Sequence, residues 1–319
     1  MVPSCSLENE KTKRAERLMQ GAALLASGVA VLLVVIKGVA WWLSDSVAIL
    51  SSLMDSALDL MASVVTVYAV RHAIRPPDAD HRFGHGKAEA LAALTQSFLV
   101  SLSALFLAVE AVPRFITPQI VTHEVLGIAI MVFSIVVTGI LITVQHWVIQ
   151  QTGSVAISAD RMHYAGDLLI NAGVGLSLFV TSIGSGWAWA DPLCALIVAA
   201  ILVFSVVRIA SKALDCLMDK ELPDAERARI LDLAAHHPHV IDAHDLRTRT
   251  SGIRTFILLH LTLPREMTLA TAHHVCDSVA GSIRQEFPGS EVTIHQDPEG
   301  LVEERLDAQI DNQDYGKEK

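Results

Sequence analysis

Six apolar stretches follow one another through the first two thirds of the chain, roughly 19–43, 47–74, 88–113, 123–149, 156–184 and 188–214. Each is about 20 residues or longer, the length an α-helix needs to cross a bilayer. The second and fifth differ from the others in being interrupted by Asp and His. Lys11, Lys13, Arg14 and Arg17 precede the first stretch. Arg71, Arg75, Arg82 and Lys87 surround the link between the second and third, and Arg208, Lys212 and Lys220 surround the end of the sixth. The opposite links hold almost no basic residues, Arg114 excepted, so the positive-inside rule predicts cytoplasmic N- and C-termini, in keeping with an even number of spans. The link between the fourth and fifth stretches adds only Arg161 to that argument.

After Lys220 the pattern changes. PDAERARILDLAAHHP predicts an amphipathic helix with Ile230, Leu231 and Leu233 on its apolar side. VIDAHDLRTRTSG and IRTFILLHLTLP alternate as two strands joined in a hairpin. TLATAHHVCDSVAGSIRQEFP predicts a second helix with Thr268 as its N-cap, and SEVTIHQDP a third strand. The order helix–strand–strand–helix–strand implies a small two-layer α+β domain. The expected organisation is a cytoplasmic N-terminal segment (1–18), an α-helical membrane domain with six transmembrane helices (19–214), a cytoplasmic α+β domain (215–300) and a disordered acidic tail (301–319).

Composition sharpens this. The 319 residues are 52% hydrophobic and 18% charged, with mean hydropathy +0.44, too apolar for an ordinary soluble protein of this length. The net charge of −10 argues against nucleic acid as a partner. Cys5, Cys194, Cys216 and Cys276 form no close pair, which argues against a disulfide framework or a thiolate zinc site. The polar N-terminal residues and long first apolar run do not read as a signal peptide. Trp41 and Trp42 read as part of an interfacial aromatic belt.

The candidate chemistry lies first in the second and fifth stretches. Asp55 and Asp59 are four residues apart, as are His163 and Asp167, and such pairs share one face of a helix. Ionisable groups inside spans are costly and mark function by default. A network that only packs helices is the alternative, but two such pairs in separate spans weigh against it. No Lys or Arg is expected deep in the spans, so a cation or protons must neutralise the three carboxylates. One imidazole and three carboxylates suit Zn²⁺, with Cd²⁺, Fe²⁺, Co²⁺ or Mn²⁺ as alternatives. Ligands must lose protons to bind metal, so metal and protons compete for these groups. Gly166, Ala172, Gly173 and Gly175, with Ser56, Ala57, Ala62 and Ser63, are expected to let the two helices approach closely.

Two further groups carry ligand-type side chains. Asp78, His81 and His85 lie in the loop RPPDADHRFGHGKAEA, with Asp80 an equally placed alternative by sequence alone. His244, His260, His273, His295 and Asp297 are spread over the C-terminal domain, His295 and Asp297 alternating on one strand face. His236, His237 and His239 at a helix end are assigned no metal role. The chain contains no HExxH, P-loop or GxSxG motif, so nothing supports a protease, an ATP-driven pump or a hydrolase.

DSALD, HYAGD, DADHRFGHGKAEALAAL, AHDLRTRTSG and TIHQDP, in this order over residues 15 to 298, resemble the cation diffusion facilitator family and most of all its bacterial zinc and ferrous-iron efflux branch. The resemblance implies a homodimer of six-span subunits with a metallochaperone-like cytoplasmic domain of two helices and three strands that binds metal and dimerises. It implies a transport site at Asp55, Asp59, His163 and Asp167, and a loop site at Asp78, His81 and His85, favouring Asp78 over Asp80. It further implies a cytoplasmic binuclear site at His244, His260, His273, His295 and Asp297, with Asp297 as the bridge. An interlock near the membrane surface would correspond to Lys87 and Asp219. The resemblance does not account for the acidic tail.

The resulting expectation is a secondary antiporter, not an enzyme, in the inner (plasma) membrane, exporting Zn²⁺, with Fe²⁺ or Cd²⁺ as further candidates, in exchange for protons. Zn²⁺ serves as substrate and regulatory ion, and no organic cofactor is expected. The rival readings are a membrane metal sensor that does not transport and a passive metal channel.

Overall fold

The computed structural model describes residues 4–44, 47–116, 125–183, 190–301, 305–307 and 309–310. The expected start of the fourth stretch at 123 and most of the acidic tail lie outside them. Six long helices come first: α1 (Ser4–Ser44), α2 (Val47–Ala73), α3 (Ala88–Ile116), α4 (Val125–Thr152), α5 (Val155–Ile183) and α6 (Ala190–Leu217). Helix α7 (Asp224–Ala235), strands β1 (Asp242–Ser251) and β2 (Arg254–Leu263), helix α8 (Leu269–Glu286) and strand β3 (Ser290–Pro298) follow. The chain divides into two compact units, Ala15–Asp215, and Cys216–Lys319 together with Met1–Arg14.

Among the described residues, five of the long helices are apolar and long enough to cross a membrane, within Thr12–Leu43, Ser52–Ala73, Ala88–Pro113, Ala129–Thr152 and Pro192–Leu217. Helix α5, of 29 residues and about 43 Å, carries Asp160, Arg161, His163 and Asp167 in its first half. Its position explains why a bilayer tolerates it. Helix α5 packs on α2, α3 and α4. It reaches α1 through Tyr164, whose hydroxyl donates to the Ala26 carbonyl at 3.3 Å. It meets α6 at Gly166, where a Cβ would stand 2.8 Å from Leu202 Cδ2. The other helices present the lipid-type surface, with Leu58, Met61 and Val64 of α2, Leu105 and Phe106 of α3, and Phe204 and Val207 of α6 exposed.

Two of the small residues of α5 stand against a helix other than α2. Gly166 faces Leu202, and Gly173 faces Val198 and Cys194, all on α6. Contact between α2 and α5 includes Ser63, one of the small α2 residues expected there, bonded to the Tyr164 hydroxyl at 2.6 Å. The α4–α5 turn is two residues long. Ser154 caps α5 by accepting from the Ile157 N–H at 3.3 Å, and its hydroxyl donates to Glu89 Oε2 at 2.5 Å.

The C-terminal domain follows the predicted order. β1 and β2 form an antiparallel hairpin, turned at Gly252 with positive φ, and β3 pairs parallel to β2. Helix α8 makes the crossover, and Thr268 caps it by accepting from the Thr271 N–H. Strand alternation splits the sheet into two faces. Ile257, Leu259, Leu261 and Leu263 join Ile230 of α7 and Val275, Val279 and Ile283 of α8 in a single buried core. His260 lies between these positions and so points to the opposite face. The Cys216 thiol donates to the Thr250 carbonyl at 3.7 Å. Burial pushes the Cys276 thiol up.

The tail differs from expectation where it is described. Arg305 pairs with Asp242 at 2.7 Å. The Asp245 N–H donates to Asp307 Oδ2 at 2.6 Å, and the Asp245 carboxylate accepts from the Leu306 and Asp307 N–H groups at 3.1 Å each. A β-bulge between His244 and Arg247, with Asp245 at φ 48°, turns this carboxylate out of the ladder toward the tail. Residues 305–307 are thus bound through backbone groups, which a reading of charge composition does not reveal.

Burial alone would raise the Asp245 carboxyl, but the two N–H donors outweigh it and hold it below the ordinary carboxylate range. A lowered folded pKa contributes stability at pH values above the unfolded one, about 3.9, and that stability is lost as pH falls through the folded value. Asp245→Asn is therefore expected to cost about 1–2 kcal/mol at neutral pH. For a domain of this size that is about 4–8 °C per kcal/mol in the melting of the C-terminal domain. Thermal unfolding that shows no loss at neutral pH, or a loss that persists undiminished in strong acid, contradicts this assignment.

Candidate metal centre

Three clusters of ligand-type side chains have atoms within 4.8 Å of one another: Asp59, His163 and Asp167; Asp78, His81 and His85; and His244, His260 and Asp297. The first joins α2 to α5. His163 Nε2 lies 3.0 Å from Asp59 Oδ1 and 3.9 Å from Asp167 Oδ2. His163 is 8% exposed, and Asp167 Oδ2 is buried without a hydrogen-bond partner. Asp55, one turn before Asp59, is exposed and stands outside the three-residue cluster. The structure thus gathers three of the four residues expected at this site.

An imidazole nitrogen and a carboxylate oxygen at 3.0 Å need a proton between them, because two lone pairs at that distance repel. Metal ligation by His163 Nε2 requires that proton to leave. The pair therefore holds either a proton or a metal.

One expectation fails here. Lys37 lies within the first span and is 9% exposed. Its ammonium donates to Ser56 Oγ at 2.7 Å and to the Ser52 carbonyl at 3.2 Å. Its field reaches Asp59, Asp55 and Asp167. A cation deep in the spans thus partly offsets the three carboxylates. A lone Lys inside the apolar run 19–43 was the available signal.

The loop cluster is organised by Asp78. Its Oδ1 accepts from the N–H groups of His81 at 2.7 Å and Asp80 at 3.1 Å, and lies 3.3 Å from His81 Nδ1. Its Oδ2 lies 3.3 Å from His85 Nε2. The His81 and Asp80 N–H groups hold the Asp78 carboxyl below its ordinary range. Asp80 reaches this cluster through its backbone N–H, and Asp78 is the carboxylate grouped with both histidines. His72, at the end of α2, stacks edge-on to His85 with ring centroids 4.6 Å apart, a neighbour that sequence spacing missed.

In the C-terminal domain the strand register aligns three histidines, His244 opposite His260 and His260 opposite His295. Asp297 sits beside this row on β3, 5% exposed. Its Oδ2 lies 2.9 Å from His260 Nδ1 and 3.6 Å from His244 Nε2, and its Oδ1 lies 3.3 Å from His295 Nε2. A carboxylate divided this way suits a bridge between two metals. His273 on α8 stands apart within one chain, exposed and 3.3 Å from Asp277. Asp242 Oδ2 lies 3.3 Å from His244 Nδ1, but the angle is poor and that nitrogen has no hydrogen bond. Asp219 pairs with Arg249 at 3.5 Å in this unit, whereas Lys87 precedes α3 in the other.

Asp78→Ala removes the group that touches both loop histidines. It is expected to lower bound zinc per chain by the loop site alone, read by elemental analysis after equilibrium dialysis. An unchanged ratio excludes Asp78 as a ligand.

Two family models match the chain. One, for the cation efflux transmembrane domain, covers residues 23–218, and one, for the cation efflux protein cytoplasmic domain, covers residues 222–299. The cation-efflux pump FieF of Salmonella newport (strain SL254) is 43% identical over 286 residues, 90% of this chain and 95% of the relative. FieF of Salmonella paratyphi A is 42% identical over the same shares. Among solved structures, a candidate zinc transporter, CzrB, in its Zn form is 34% identical, covering 27% of this chain and 99% of that one, with TM-score 0.26. With both domains matched and nearly its whole length aligned to cation-efflux pumps, the chain is a member of the cation diffusion facilitator family.

Proposed function

We propose that this divalent-metal efflux transporter exports Zn²⁺ from the cytoplasm in exchange for protons, with Fe²⁺ and Cd²⁺ as further candidate substrates. The observation that carries this reading is the 3.0 Å contact between His163 Nε2 and Asp59 Oδ1. One proton there excludes a metal, and one metal excludes the proton. Asp167 supplies the third ligand, and Asp55 closes the set by a rotamer change, since it leads α2 by one turn in front of Asp59. The zinc named for CzrB and the cation efflux named for FieF agree with this choice.

The flanking sites fit the same task. Asp78, His81 and His85 capture metal at the α2–α3 loop. His244, His260, His295 and Asp297 hold a binuclear site in a homodimer, to which His273 contributes across the interface. N- and C-termini face the cytoplasm, and the membrane is the plasma (inner) membrane. A channel or a sensor has no need of a proton that competes with metal inside the spans.

In liposomes holding a zinc-sensitive dye, an imposed pH gradient is expected to drive zinc flux through the wild type, and Asp59→Ala to fall to the level of protein-free liposomes. Flux indifferent to the gradient points to a channel. Zinc binding without flux in correctly inserted protein points to a sensor. Replacing His244 and His295 together is expected to weaken dimer association and the zinc dependence of rate. If both stay at wild-type values, the C-terminal site has no coupling to transport.

A further inference from the structure

Helix α5 carries another ionisable side chain that the candidate ligand sets do not use. Asp160 is 0% exposed, one turn before His163, where α5 meets α2, α3 and α4. Its Oδ1 accepts from Thr66 Oγ1 at 3.3 Å and from Gln96 Nε2 at 3.4 Å. Its Oδ2 accepts from Gln145 Nε2 at 2.7 Å. Among the described residues it has no ion-pair partner.

The amides around it are unevenly satisfied. Gln96 and Gln145 are both 0% exposed, and the Oε1 of each is buried without a hydrogen-bond partner among the described residues. Buried acceptors of this kind are normally paired. The Gln96 amide is fixed, since its nitrogen also donates to the Ala62 carbonyl and to Thr66 Oγ1, both at 3.0 Å. Gln145 has no such anchor, because its amide bonds only Asp160. Turning that amide end for end replaces a donor with an acceptor at the same place and breaks no other bond. The 2.7 Å contact therefore serves both forms of Asp160: ionised, it accepts from the Gln145 N–H, and protonated, it donates its O–H to the Gln145 Oε1.

We infer that Asp160 is a proton-binding site of this transporter, and that Gln145 is the partner that satisfies it with and without the proton. The inference rests on the metal/proton exchange proposed above. The fields of His163 and Asp59 reach Asp160. A cation arriving at the Asp59–His163–Asp167 cluster disfavours a proton one turn away, and its departure restores it. The charged and titratable groups on the surrounding helices include Lys37 on α1, Asp55 and Asp59 on α2, Glu89 and Glu110 on α3, His146 on α4, and Arg161, His163, Tyr164 and Asp167 on α5. Glu89 is held by Ser154, and His146 turns toward Arg161 at 2.7 Å, so neither bonds Asp160.

The test counts protons. Calorimetric zinc titrations of the full-length protein, in buffers of different ionisation enthalpy, give the protons released per zinc. Asp160→Asn is expected to release one proton fewer than the wild type, and equal release overturns the inference. Should that variant not fold, Gln145→Leu removes the two-way partner. It is expected to raise the pH midpoint of zinc-linked proton release by about one unit, because the ionised carboxylate loses a stronger hydrogen bond than the protonated one. An unmoved midpoint overturns the inference equally. In liposomes, Asp160→Asn flux should rise less steeply with the pH gradient than wild-type flux. A wild type that ignores the gradient refutes the exchange reading, and the calorimetric comparison then still decides Asp160.

Discussion

A carboxylate in hydrocarbon must find a counter-charge, a proton or hydrogen-bond donors, and the membrane domain is arranged around that requirement. Helix α5 carries Asp160, His163 and Asp167, and the other five long helices each touch it. Lipid-type side chains cover the outer faces of its neighbours, so the polar helix gains a protein environment. Lys37, Ser63, Tyr164, Thr66, Gln96 and Gln145 then fill the interior with donors. The polar residues of α5 are the same ones that bond to its neighbours and offer a place for a metal.

The C-terminal domain solves a related problem with a sheet. Strand alternation sends leucines and isoleucines to the helical layer and histidines to the other face. Pairing His260 with neighbours on both sides concentrates three imidazoles in one row, and Asp297 supplies the negative charge that imidazoles alone lack. Both candidate sites thus pair a carboxylate with imidazoles on facing backbone elements. In each, the side chains must lose a proton before they can bind a metal.

The acidic tail links to this second site indirectly. Arg305 binds Asp242, two residues before His244, and Asp307 binds Asp245, one residue after it. The bulge that permits this also ends the regular alternation of β1. A segment rich in charge is held here by backbone N–H groups meeting a carboxylate, a pairing that depends on chain path.

Much of the protein was legible in residue order. Apolar length defined the spans, period-two alternation defined β1 to β3, and the four-residue spacings of Asp55/Asp59 and His163/Asp167 marked a site, because these patterns reflect geometry within a single element. Folding decided what depends on which elements meet. It placed His163 against Asp59 while leaving Asp55 outside, and set Gly166 and Gly173 of α5 against α6. It also brought Lys37 onto α2 and enclosed Asp160 between two glutamines from different helices. No local spacing encodes these pairings, since each joins residues far apart in the chain whose approach is set by helix packing.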